Sequence, residues 1–299
     1  MANTAAGYAK SRLGLGIAAR KTISSSVTYV ACVLIAIAFM APFLWTVSTS
    51  LKAPEEIYVY PPTWIPKAIQ WGNYPRVWQL VPYGTWFTNS TIVTVLSVIG
   101  QTLSCAVVAY GFARFRFPGR DLLFMLTLAA LILPGEVTLI PTFMLFKYLG
   151  WLDKLVCLIV PNWFGTPRSA FYIFLLRQFF MTLPKEIDEA ARVDGAGVLR
   201  VLFSIIMPLS KPALATAAIL SFLLHWNEFL QALIFLNTTQ HFTLPLGIRY
   251  FQVTTVDGGK PMEQLLMAAS LMMTLPCIAF FFAGQRYFVR GIAMSGLKG

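Results

Sequence analysis

The sequence predicts an all-α, polytopic membrane protein with six transmembrane helices and both termini in the cytoplasm. Three observations predict it. First, 57% of the 299 residues are hydrophobic and only 12% are charged, where soluble domains run near 45–50% apolar and about 25% charged. A soluble fold cannot hide that much apolar surface and still cover itself with charge. The same composition excludes a disordered chain, a collagen and a disulfide-stapled secreted module. Second, six apolar runs reach the roughly 20 residues needed to cross about 30 Å of hydrocarbon. They cover 27–48, 87–110, 122–145, 155–177, 212–235 and 264–284, and they are apolar all round rather than alternating, which favours helices over barrel strands. Third, with the N-terminus inside, the inside segments carry 15 of the 23 Lys and Arg residues and the outside loops 7, Arg168 lying within the fourth run. That is the positive-inside bias. The net charge of +11 is therefore a topology signal and not a nucleic-acid surface.

Residues 1–26 read as a cytoplasmic N-terminal segment and 27–299 as one transmembrane domain. The first run is longer than the 7–15 residues of a signal-peptide core and no A-x-A site follows it, so it is expected to remain as a span. The outside loop 49–86 carries Tyr60-Pro61-Pro62-Thr63-Trp64-Ile65-Pro66, aromatics suited to an interfacial belt. In the third run, Pro134, Gly135 and Pro141 predict a kinked or broken helix beside Glu136. In the fourth, Pro161 to Pro167 suits a straight helix poorly and leads into Arg168, which either lines a transport pathway or sits at the outer interface. The fifth holds Asn227 and Glu228, taken as pathway residues, and His225, taken as a hydrogen-bonded packing residue. A charge at mid-bilayer costs about 2.5–3.5 kcal/mol. The eleven Leu, Ile and Phe residues of 212–235 return roughly 5 kcal/mol, so insertion is feasible provided the charges face protein or water. The four cysteines, one per span, have no C-x-x-C or His pairing and read as small buried hydrophobes.

The inside loop 178–211 breaks character. Within it, Pro184-Lys185-Glu186-Ile187-Asp188-Glu189-Ala190-Ala191-Arg192-Val193-Asp194-Gly195 predicts a short helix with Pro184 in its first turn and acids near its N-terminus. Asp188 and Arg192, four apart, can pair along one face. Ala190, Ala191 and Gly195 leave a strip with almost no side chain. A headgroup-lying amphipathic helix needs large apolar anchors opposite a basic face. With only Ile187 and Val193 as anchors, a protein-docking helix fits better.

Glu189-Ala190-Ala191, three residues, Gly195, nine residues, then Ile205-Ile206-Met207-Pro208 resembles the EAA loop of bacterial ABC importer permeases, with Met207 in place of Leu. Ser50-Leu51-Lys52 through Trp64, Asn89-Ser90, Tyr110-Gly111-Phe112-Ala113-Arg114, Trp226-Asn227-Glu228-Phe229 and the tail Gly296-Leu297-Lys298-Gly299 resemble the carbohydrate branch, the maltose-permease G-subunit type. The resemblance implies the type I ABC importer transmembrane fold in a bacterial or archaeal plasma membrane. It implies a cytoplasmic ATPase dimer carrying ATP and Mg, a second permease in a heterodimer, an extracytoplasmic solute-binding protein and a sugar-type substrate. Glu189, Ala190, Ala191, Asp194 and Gly195 would couple to the ATPase, and Lys298 and Gly299 would reach it through the tail.

No G-x-x-x-x-G-K-[ST] occurs, and Gly258-Gly259-Lys260 runs into Pro261, so ATP hydrolysis is expected in another chain and no catalytic, cofactor or metal residue is assigned to this one. Gly14-x-Gly16-x-x-Ala19 has no preceding strand to make it a dinucleotide fingerprint. The alternative is an ion-coupled secondary transporter using Glu136, Arg168 and Glu228. An intramembrane enzyme lacks any nucleophile–base or metal constellation.

Overall fold

The computed structural model describes the backbone of residues 2–253, 255–256 and 260–296, and the side chains of residues 25–253 and 262–285. The proposed tail contacts Lys298 and Gly299 lie outside the described residues. Apart from one antiparallel pair of two-residue strands, Thr255–Val256 with Lys260–Pro261, the regular structure is helical.

Three helices are continuous, long and apolar enough to cross a membrane. They are α1 (Ala2–Ser50, with its apolar part from Ser25), α3 (Tyr83–Arg114) and α11 (Glu263–Gly296). Between α1 and α3 lies α2 (Asn73–Leu80). The third and fourth expected spans are interrupted where proline and glycine interrupt the sequence, and the fifth at Asn227-Glu228-Phe229, where neither occurs. The third is α4 (Arg120–Ala129) and α5 (Leu139–Leu149), joined through 3-10 turns and bent by 96° at Leu133-Pro134.

The 155–177 run is interrupted between Pro161 and Pro167, where the sequence suits a straight helix poorly. Its first part is a single turn, Val156–Ile159, followed by a 3-10 turn with Pro161 inside it. Gly165 then takes a left-handed φ of 92° before Pro167. Helix resumes only at α6 (Ser169–Thr182), about 21 Å long at 1.5 Å per residue. The expected run 212–235 likewise stops at Trp226 and restarts at Leu230, after three intervening residues.

The 178–211 loop is itself helical. It holds α7 (Glu186–Val193) and a helix α8 (Val198–Leu209), which meets α9 (Lys211–Trp226) at an 84° corner on buried Ser210. Pro208 cannot donate an N–H, and just before it Leu202–Ile206 widen into a π turn. A short α10 (Leu230–Phe235) follows α9.

α3 is the centre of the domain. It packs against α6 and α9, while α9 packs on α11 and α11 on α1. One buried cluster joins Tyr110, Leu176, Phe180, Ala191, Leu202 and Ile206 at the α7 end. Another gathers Tyr83, Trp86, Trp226, Leu244 and Phe251 at the other end of α3. Large side chains such as Tyr29 and Phe39 on α1 stand 74% and 80% exposed, as lipid-facing positions do.

The 49–86 loop is folded around a charge. Lys52 is 2% exposed; its Nζ donates to the Thr63 carbonyl at 2.5 Å and lies 4.1 Å from the centre of the Trp45 ring. Burial pulls its pKa down, against the opposing pull of Glu56. Asn73 closes the turn by donating to the carbonyls of Ser50 and Lys52 at 2.9 and 3.0 Å. This Pro- and Trp-rich stretch is thus a packed cap as well as a source of exposed aromatics. Of the cysteines, Cys105 and Cys157 are buried and Cys277 partly so; Cys32 instead points out from the bare face of α1.

Candidate functional site

The candidate site residues fall in two places among the described residues. The first is a cavity of about 470 Å³ on which three helix interruptions converge: Leu133 to Glu136, Thr166 to Arg168, and Glu228 to Gln231. These interruptions put the charged side chains of Glu136, Arg168 and Glu228 there. An apolar bilayer tolerates them only where they line protein or water.

Arg168 and Glu228, from the fourth and fifth expected spans, form an ion pair with Nη1 to Oε2 at 2.6 Å. Glu228 Oε1 also accepts the Gln231 N–H at 3.1 Å, capping α10. One carboxylate therefore holds two helix breaks together. Glu136 lines the same cavity and is exposed. Arg168, 46% exposed along its side chain, already has its counter-ion.

Asn227 does not join them. Its Nδ2 donates to the Leu223 carbonyl of its own helix at 2.8 Å and its side chain is exposed away from the cavity lining. His225 does line the cavity but is a buried packing residue, with Nε2 3.1 Å from Gln101 Oε1. Gln101 Oε1 also accepts the Ser221 hydroxyl at 2.7 Å, and Gln101 Nε2 donates to Ser169 Oγ at 3.1 Å. Since Oε1 can only accept, His225 donates from Nε2. This node fastens α3, α6 and α9, and its one signal in the sequence is a Gln inside a long apolar helix.

The second place is α7. Pro184 does not open this helix. It follows Leu183, which is held extended (ψ 138°) as a residue before proline must be, and so ends α6; α7 begins at Glu186. Asp188 does not pair with Arg192. It turns inward, 6% exposed, meets Arg114 Nε at 3.1 Å and accepts the Tyr110 hydroxyl at 3.0 Å. The Arg114 contact is an ion pair off the in-line hydrogen-bond direction. Arg114 also donates from Nη2 to the Leu183 carbonyl at 3.1 Å. Arg192 lies 6.0 Å from the Phe115 ring centre instead.

The five residues assigned to coupling divide by face. Glu189, Ala190, Asp194 and Gly195 are exposed. Ala191 is 6% exposed and packs into the cluster with Tyr110 and Leu202, so its small size seats the helix on its own domain. Gly195 has φ +78°, and a Cβ added to it would touch nothing. Its N–H bonds the Arg192 carbonyl at 3.0 Å, and the Ala196 N–H bonds the Ala191 carbonyl at 2.9 Å. These are the two bonds of a left-handed helix C-cap, which favours Gly for its backbone.

Broken helices around a charged cavity, and a separate exposed mixed-charge helix fastened to the long apolar helices, are the features of a membrane permease. Residues 103–294 match the profile of the family described as binding-protein-dependent transport system inner membrane component. The chain is 35% identical over 271 residues to the probable ABC transporter permease protein YurM of Bacillus subtilis, covering 89% of this chain and 85% of that one. It is 35% identical over 247 residues to the sn-glycerol-3-phosphate transport system permease protein UgpE of Pectobacterium atrosepticum, covering 81% and 86%. The arabinooligosaccharides transport system permease protein AraQ of Halalkalibacterium halodurans is 35% identical over 217 residues, covering 73% and 75%. The fold matches a chain of a bacterial ABC transporter involved in import of the acidic polysaccharide alginate, with a TM-score of 0.78 at 24% identity over 89% of this chain and 96% of that one. The chain belongs to the binding-protein-dependent transport system inner membrane component family, the permease subunits of ABC transporters.

Proposed function

We propose that this chain forms one half of the translocation pore of an ATP-driven importer for carbohydrates or sugar derivatives. In this reading the backbone crosses the membrane six times with both termini inside, the interrupted 155–182 segment making one crossing. The cavity with Glu136, Arg168 and Glu228 belongs to the pathway. The exposed face of α7, with Glu189, Ala190 and Asp194, docks on a cytoplasmic ATPase, and a sister permease and an extracytoplasmic binding protein complete the assembly. The substrate class rests on the relatives, two of which are named for sn-glycerol-3-phosphate and arabinooligosaccharide transport.

The observation that carries the coupling role is the division of α7. One face is fixed to α3 through Asp188, Arg114 and Tyr110, while the other leaves acids and a bare alanine in solvent. A helix that is rigidly held yet exposed can pass a push from a soluble partner into α3. ATP-driven closure of the partner would tilt α7, and the spans would swing between inward-open and outward-open. The ion-coupled alternative is not favoured: the relatives are ABC permeases, and two of its three charges are consumed by one another.

The test is purification of the tagged full chain from its own membrane in mild detergent, with Glu189→Ala alongside. The expected result is co-recovery of a nucleotide-binding subunit and a second permease. Glu189→Ala should leave expression and melting unchanged and abolish uptake while ATP hydrolysis persists. Wild-type uptake by that variant would remove α7 as the transmission element.

A further inference from the structure

A cleft of about 620 Å³ opens at the α7 end of the domain, between the end of α3, the 115–119 linker, the start of α4 and the end of α6. Five cations line it, Arg114, Arg116, Arg120, Arg177 and Lys185, against one carboxylate, Asp121. The positive-inside bias asks only that cations lie on one side of a membrane. It does not ask separate elements to direct them into one hollow.

Three of the five are engaged within the fold. Arg114 is held by Asp188, Arg120 by Asp121 at 2.9 Å, and Arg177 lies 4.1 Å from the centre of the Phe124 ring. Arg116 and Lys185 are exposed and form no ion pair among the described residues. The cleft thus holds uncompensated positive charge. Its other wall is apolar and open, with Phe117, Leu122 and Met181 standing 39%, 58% and 51% exposed. A cationic hollow beside bare hydrocarbon-compatible side chains fits an amphiphile with an anionic head.

We propose that this cleft binds the phosphate headgroup of an anionic phospholipid, with the acyl chains against Phe117, Leu122 and Met181. Arg116 and Lys185 supply the free charge, and Arg114 and Arg177 form the fixed wall. Soluble phosphate shares the head chemistry but has no use for the apolar wall. An acidic segment of a partner protein would compete for the cations and leave the same wall bare.

The test uses the full chain in neutral detergent, titrated with phosphatidylglycerol or phosphatidylcholine and read by native mass spectrometry. The wild type should retain phosphatidylglycerol preferentially. Each cation removed from such a site weakens anionic-lipid binding about five-fold, so Arg116→Gln with Lys185→Gln should lower its affinity about twenty-five-fold. Lys67→Gln with Lys147→Gln, the same charge change at exposed positions outside the cleft, should leave it unaltered. Both side chains changed in the cleft are exposed, so melting should match the wild type. Equal retention of the two lipids, or unchanged affinity in the double variant, overturns the proposal. Displacement of the lipid by inorganic phosphate alone reassigns the cleft to a soluble anion and overturns it too. So does a double variant that keeps phosphatidylglycerol but no longer co-purifies with the ATPase, which makes the cleft a protein contact.

Discussion

Removing the Asp188 carboxylate should cost more than any other single change on α7. The Arg114 and Asp188 side chains are 4% and 9% exposed, so neither charge can turn to water when its partner is lost. Breaking a buried pair from one side costs about 3–5 kcal/mol, chiefly the penalty of the orphaned charge. Asp188→Ala leaves Arg114 with only the Leu183 carbonyl and the Tyr110 hydroxyl with no acceptor. Tyr110→Phe removes a single hydrogen bond to a charged group, about 1.5–3 kcal/mol. Replacing both charges, Asp188→Leu with Arg114→Met, removes the desolvation cost together with the attraction and should recover most of the loss.

The assay is a double-mutant cycle of Asp188→Leu, Arg114→Met and their combination, with Asp188→Ala and Tyr110→Phe alongside, on thermal unfolding of the detergent-solubilised chain, with uptake and ATP hydrolysis measured in parallel. The expected pattern is a large loss for Asp188→Ala, a smaller one for Tyr110→Phe and near-recovery for the Leu/Met double. Additive penalties in the double variant would refute the reasoning, since additivity means the two charges do not interact. Unchanged melting in Asp188→Ala would refute it as well. The contrast with Glu189 is functional: Asp188→Ala should lose stability and uptake together, whereas Glu189→Ala should lose coupling alone.

Four further outcomes follow from single sites. Gly195→Ala should destabilise the α7 terminus by about 1–2 kcal/mol because a left-handed residue gains a Cβ; Gly195→Asn should cost less, as melting of the two variants checks. Gly247→Ala would bring a Cβ to 2.2 Å from the Trp86 ring, which is 1% exposed and tied through Nε1 to the Thr239 carbonyl at 2.8 Å, so overpacking of about 1–3 kcal/mol should show as a lower melting temperature. Arg168→Gln should lower stability by about 1–3 kcal/mol, seen in melting, because it leaves the Glu228 carboxylate, 12% exposed, without its cation, and it should alter uptake by freeing Glu228 in the cavity. Burial alone would raise the Asp153 carboxyl, but bonds from the Thr238 hydroxyl and the Thr238 and Asn237 N–H groups outweigh it and hold it well below the usual carboxylate range. A depressed folded pKa gives stability that is present above the unfolded value near 4 and lost as pH falls below it, so acid melting curves of the wild type and Asp153→Asn should converge at low pH.

Two of the three breaks in the helices were legible because proline and glycine act locally, whereas the break at Asn227-Glu228-Phe229 carries no such residue. Pro134 and Gly135 mark a 96° bend, and Pro161 through Pro167 mark a segment that is helical only in single turns. What a local signal cannot reveal is the partner across space. Arg168 and Glu228, sixty residues apart, each read as an isolated membrane charge, and only the approach of two helix breaks makes them one pair. Gln101 is still less visible, since a single amide in an apolar helix says nothing of Ser169, Ser221 and His225 gathering on it.

The acidic run of α7 shows the same limit at the scale of one residue. Asp188 and Glu189 are adjacent acids on a helix, where successive residues turn by about 100°. A sequence cannot say which of the two looks inward, because either would suit the helix N-terminus. The packing settles it through the phase of the helix. Asp188 stands three residues before Ala191 and so shares the face that Ala191 lays on the Tyr110 cluster, and on that face its carboxylate meets Arg114. The residues quoted for the family resemblance at the end of α3, Tyr110 and Arg114, are the ones that grip Asp188, while Glu189 is left to solvent. The motif therefore encodes two surfaces at once: Asp188, Ala191 and Gly195 build and seat the helix, and Glu189, Ala190 and Asp194 are what it presents. A test of coupling must change the second set and leave the first intact.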